Sequence, residues 1–135
     1  MVGEVAVELK LLGVAIVVGL VQLLWAAAAA RAHQGDLKWA AGPRDTPMPL
    51  GGVAGRLDRA FWNFAETFPF FAAAVLACAV AGKLGTELTI WGSGLYVVSR
   101  ALYAPLYASG VPMVRTLAWL MSMVGLALVL TALFR

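Results

Sequence analysis

Apolar residues run through this chain in four long windows, approximately Leu9 to Ala30, Arg59 to Gly82, Leu88 to Ser109 and Met113 to Phe134. Each is near the roughly 20 residues that a helix needs to cross a bilayer, so the pattern predicts four membrane-spanning helices. With their flanks the predicted helices cover about 9–30, 56–82, 86–109 and 112–134. Only one connection has loop chemistry of any length, "HQGDLKWAAGPRDTPMPLGG", rich in Gly and Pro. The other two, "GKLGTE" and "SGVP", are tight turns. No second domain, low-complexity tail or heptad repeat interrupts this order. Residues 1–135 therefore form one all-α unit, an integral membrane four-helix bundle of up-down topology.

Composition agrees with that pattern. The chain of 135 residues is 62% hydrophobic and 13% charged, with a mean hydropathy of +0.87, well beyond ordinary soluble domains. The first window ends in "AAAAARA", which resembles a signal-peptidase site. Its apolar run is too long for a signal peptide, however, and its N-terminal flank carries Glu4 and Glu8 instead of basic residues, so it reads as a retained helix. Cys78 has no second cysteine to pair with, and His33 has no ligand-spaced neighbours, so neither a disulfide nor a metal site is expected.

The net charge of +3 is explained by topology, without nucleic acid as a partner. Arg31, Lys38, Arg44, Arg56 and Arg59 cluster between the first two windows, whereas the second loop offers only Lys83, opposed by Glu87. By the positive-inside rule the long first loop and the turn from Gly110 to Arg115 face the cytoplasm, and both termini lie on the other side.

Charged groups within the apolar windows need a reason, because each costs about 2.5–3.5 kcal/mol at the centre of a spanning helix. Arg56, Arg59, Asn63 and Glu66 are spaced three, four and three apart, which aligns them on one stripe of the second helix. Arg100, Tyr103 and Tyr107 repeat the pattern on the third, and Arg115 opens the fourth. At about 1.5 Å per residue, Glu66 and Arg100 fall at the same depth. They are expected to lie close together, beneath a basic and phenolic funnel of Arg59, Tyr103, Tyr107 and Arg115. Pro69 and Pro105 each remove a backbone hydrogen bond beside a stripe. Structural ion pairing would account for individual members of this set. Taken together, the arginines outnumber the single carboxylate, and the surplus positive charge calls for an anionic ligand.

These residues resemble a known family. "RLDRAFWNFAETFPFF" is similar to the signature R..RA..N..E..P.F of the membrane-associated proteins in eicosanoid and glutathione metabolism, the MAPEG family. "SRALYAPLYASGVPMVRTLAW" is similar to the family's third- and fourth-helix segment, with paired tyrosines followed by an arginine. The long first loop with "GPRDTP" looks like the prokaryotic branch, which implies a bacterial inner membrane.

The resemblance implies a homotrimer in the lipid bilayer that binds glutathione between subunits near the cytoplasmic face. It implies a glutathione transferase or peroxidase acting on a lipophilic electrophile or hydroperoxide. The signature falls on Arg59, Asn63 and Glu66, and the tyrosine positions on Tyr103 and Tyr107; with Arg100 and Arg31 these complete the implied cofactor-binding set. Arg31 would come from a neighbouring subunit. Arg115 takes the place of the thiol-activating arginine, assisted by Tyr107, making these two the implied catalytic pair. In that scheme Arg59 and Arg31 clamp carboxylates, Glu66 takes the ammonium, and Arg115 favours the thiolate. Phe61 and Thr67 stand where some family enzymes carry a glutamine and a tyrosine, so two hydrogen bonds are absent. A non-catalytic lipid-binding or scaffold protein of the same fold is the alternative. A proton-coupled drug transporter fits poorly, since the first window holds no acidic residue and, past Lys10 at its edge, its only polar residue is Gln22.

Overall fold

The computed structural model describes residues 3–135, all of whose regular structure is helical. Four long helices and one short one follow in order: α1 (Val7–Gln34), α2 (Leu37–Ala41), α3 (Gly52–Val80), α4 (Glu87–Ala108) and α5 (Val114–Leu133). α1, α3 and α5 are long and apolar enough to cross a membrane, and the protein is an integral membrane protein. α4 is less apolar than the other three because it carries Ser93, Ser99, Arg100 and three tyrosines, most of them turned inward.

The ends of the elements follow local chemistry. α1 continues one turn beyond the expected Ala30 and stops at Gly35, whose left-handed backbone (φ 65°) lets its N–H reach the Arg31 carbonyl. α2 was not expected from the apolar pattern: Asp36 caps it by accepting from the Trp39 N–H at 2.9 Å. The segment after it is tied down, with Trp39 Nε1 donating to the Thr46 carbonyl and Gln34 Nε2 to the Met48 carbonyl. The Gly- and Pro-rich connection is thus an ordered strap over the end of α1. At the start of α4, Thr86 and Thr89 form a reciprocal capping box.

Helices in lipid gain little from hydrophobic burial against one another, so close packing at small residues carries much of their association. α4 and α5 make the most extensive pairing, centred on Gly92 and Gly125. A Cβ on Gly92 would lie 2.7 Å from the Gly125 carbonyl oxygen, and one on Gly125 would lie 2.6 Å from the Gly92 carbonyl oxygen. The two backbones therefore touch. α1 meets α3 differently, with the Gly19 backbone seated against the ring of Phe64.

The main core lies in the half of the molecule holding the start of α1 and the end of α3, where Leu12, Phe71, Val75, Tyr96 and Val129 pack, with Phe71 and Tyr96 stacked at 4.0 Å. The same end holds Glu8, which sequence reasoning left without a role. It is fully enclosed, and its Oε1 accepts from the Gly85 N–H and the Thr89 hydroxyl, both at 2.6 Å. A carboxylate at the N-terminus of α4 meets exposed N–H groups and the positive end of the helix dipole. The other half of the molecule has a smaller cluster of Ala60, Tyr103 and Ala104, and there the polar stripes converge.

Two stability measurements check this packing. Gly125→Leu is expected to lower the thermal midpoint in detergent, by about 1–3 kcal/mol of overpacking, whereas Gly94→Leu should be close to neutral because nothing lies within 4 Å of a Cβ there. Glu8→Ala should cost about 1.5–3 kcal/mol, the worth of hydrogen bonds to a charged acceptor. A midpoint for Glu8→Ala equal to wild type would show that this cap does not hold α1 to α4.

Candidate functional site

α3, α4 and the first turn of α5 line an open cavity of about 310 Å³ formed by Arg59, Trp62, Asn63, Glu66, Tyr103, Tyr107 and Arg115. The four α3 residues occupy successive positions of one helical face, and the two tyrosines lie one turn apart on α4. Arg115 is brought in by the turn before α5, where Gly110 (φ 76°) and Met113 (φ 72°) both adopt left-handed backbone. For methionine that conformation costs on the order of 1–3 kcal/mol. It fixes where α5 begins.

Tyr107 organises the cavity's positive charge. Its hydroxyl accepts from Arg59 Nε at 3.0 Å, so its own proton remains available to a ligand. Its ring lies 4.5 Å from the Arg115 guanidinium and 5.7 Å from that of Arg59, within cation–π range. Two cations thus share one phenol. Arg115 also stands in the first turn of a helix, where the backbone dipole disfavours a cation and favours an anion. Glu66 is the lone carboxylate in the lining, and among the described residues no ion pair forms within 4.0 Å.

Of the residues singled out from the sequence, Arg59, Asn63, Glu66, Tyr103, Tyr107 and Arg115 meet in this cavity. Arg56 leaves the stripe, because its Nε donates to the Ala108 carbonyl at 3.1 Å and caps the end of α4. The expected approach of Arg100 to Glu66 resolves differently: the Arg100 guanidinium donates to Asn63 Oδ1 at 2.9 Å, one turn away, and Glu66 stays exposed. Arg100 is fully enclosed and stacks 4.2 Å from the centre of the Tyr103 ring. It stands behind the cavity wall.

Arg31 lies in a second cavity, of about 340 Å³, with Trp39, Arg44, Asp58, Phe61 and Trp62 among its lining. Its Nη2 donates to Gln34 Oε1 at 2.7 Å, and its Nε is buried without a partner. The two cavities share Trp62 as a common wall. Phe61 lines the second cavity, and Thr67 is engaged by the Tyr96 hydroxyl at 3.0 Å, away from the first.

Trp62 and Gln22 were missed. Trp62 falls three residues after Arg59, on the polar stripe, and that spacing was the available signal. Gln22 donates from α1 to the Arg100 carbonyl at 3.2 Å, a contact that nothing local in the sequence reveals.

No curated protein matches the chain. The MAPEG family model matches residues 10–135, which extends the likeness from the signature helices to nearly all of α1. With a match of that length, joined to the Arg59, Asn63 and Glu66 stripe, the chain belongs to the MAPEG family.

Proposed function

We propose that the protein is a membrane-bound glutathione transferase or peroxidase whose thiol site is the Arg59–Arg115 cavity. The observation that carries this reading is the charge balance of the lining: two guanidinium groups, one carboxylate and two phenols, with no ion pair among the described residues to neutralise them. Glutathione, when bound, supplies a thiol nucleophile together with two carboxylates and one ammonium. The lining matches this set of charges. The cavity volume of about 310 Å³ is at the lower end of the range of small-molecule sites, about 300–1,000 Å³.

Arg59 is suited to a carboxylate, since a guanidinium pairs with it in a two-point fork. Its Nε is already spent on Tyr107, which leaves the terminal nitrogens for the ligand. Glu66, exposed to the cavity, accepts from the ammonium. Arg115 and the free hydroxyl proton of Tyr107 act at the sulfur, where a cation and a donor both stabilise the thiolate. In this reading α4 is a fourth membrane span and the cavity faces the cytoplasm, with both chain termini opposite. A lipophilic electrophile or hydroperoxide arrives from the surrounding lipid. The subunits form a trimer in which Arg31 of a neighbouring subunit reaches the cavity, since the Arg31 of the same chain lies in the second cavity, on the far side of Trp62.

The test is the ultraviolet difference spectrum of a thiolate on adding glutathione to the detergent-solubilised protein. Wild type is expected to show the band at neutral pH. Arg115→Ala should lose most of it: restoring the thiol pKa by about one unit costs roughly tenfold in thiolate. Absence of the band in both proteins would remove glutathione activation and leave a binding or scaffold role for the fold.

A further inference from the structure

The least expected group in the molecule is Arg100. It is fully enclosed, two of its donors, Nε and Nη2, have no partner, and no carboxylate pairs with it among the described residues. A buried cation left in this state opposes folding, since desolvation is only partly offset by the rings of Tyr103 and Phe64. Architecture alone does not account for it.

Its one hydrogen bond does. Arg100 Nη1 donates to the side chain of Asn63, which lines the Arg59–Arg115 cavity. A guanidinium has donors and no acceptor, so the atom it holds must be the amide oxygen. The Asn63 amide is therefore fixed in one of its two orientations, an assignment imposed by the chemistry of its neighbour. Its nitrogen makes no hydrogen bond within the protein and is not among the buried unpartnered atoms. It is therefore accessible, on a side chain that lines the cavity. Gln22, donating to the Arg100 carbonyl, ties this part of α4 to α1.

We infer that Arg100 is a positioning residue that turns Asn63 into a hydrogen-bond donor facing the cavity, so that the ligand group at this level must be an acceptor, a carboxylate or carbonyl oxygen. Glu66, one turn along α3, is an acceptor. The pair thus presents opposite polarity at adjacent positions, and the ligand is read by both. The identity of the ligand rests on the glutathione reading; the orientation of the amide does not.

Asn63→Asp separates the possibilities. One aspartate oxygen would take the place of the amide oxygen against Arg100, giving the buried cation its missing counter-charge, while the other would present an acceptor where the donor had been. The variant is expected to melt above the wild-type temperature and to bind glutathione at least about tenfold more weakly. Retained or tighter binding would mean that the amide oxygen faces the ligand, and would overturn the inference. Arg100→Met supplies the second readout. Asn63→Asp should raise the melting temperature when Arg100 is present and lower it in the Arg100→Met background, the coupling expected of two side chains in contact. Equal shifts in both backgrounds would also overturn it. This stability cycle needs no ligand, so if wild type binds no glutathione, the functional reading falls while the cycle still decides the role of Arg100.

Discussion

Two guanidinium groups held against a single phenol, with no carboxylate pairing either, set the terms for this end of the molecule. In an apolar environment a cation is costly, and the usual remedy is an acidic partner. Here Arg59 and Arg115 lean on Tyr107 instead, while Glu66 remains exposed. Such an arrangement keeps positive charge available. The site is left with unpaired positive charge, the feature on which the proposed anionic ligand rests.

The remainder of the fold makes that arrangement tolerable by dividing the work between two ends. The end holding the start of α1 carries the apolar core and the Glu8 cap on α4. The backbone contact of Gly92 with Gly125 locks α4 to α5 without depending on hydrophobic burial. α4 is thereby anchored on both sides, and its polar face can be directed inward at the other end. Arg56 belongs to the same support, since by capping the Ala108 carbonyl it holds the last turn of α4, which carries Tyr107. The strained Met113 then delivers Arg115 to the opposite wall.

Much of this was legible in the order of residues. The apolar windows located the four long helices, of which α1, α3 and α5 are long and apolar enough to cross a membrane. The stripe of Arg59, Asn63 and Glu66 and the pair Tyr103 and Tyr107 marked one cavity, because three- and four-residue spacings share a helix face. What remained hidden depends on contacts between distant segments. Spacing along α3 could not decide whether Arg100 would meet Glu66 or Asn63, which differ by one turn. Glu8 lay at the edge of its window, and only the fold shows that it meets the start of α4. α2 escaped notice because its five residues have too few apolar positions to show a period.

The central claim is that the Arg59–Arg115 cavity holds an anionic thiol tripeptide, and equilibrium dialysis of labelled glutathione tests it most directly. The protein would be reconstituted in lipid nanodiscs as wild type and as the double variant Arg59→Ala Arg115→Ala. Saturable binding by wild type that the double variant loses is the predicted result. Equal binding by both proteins, or none by either, would contradict it.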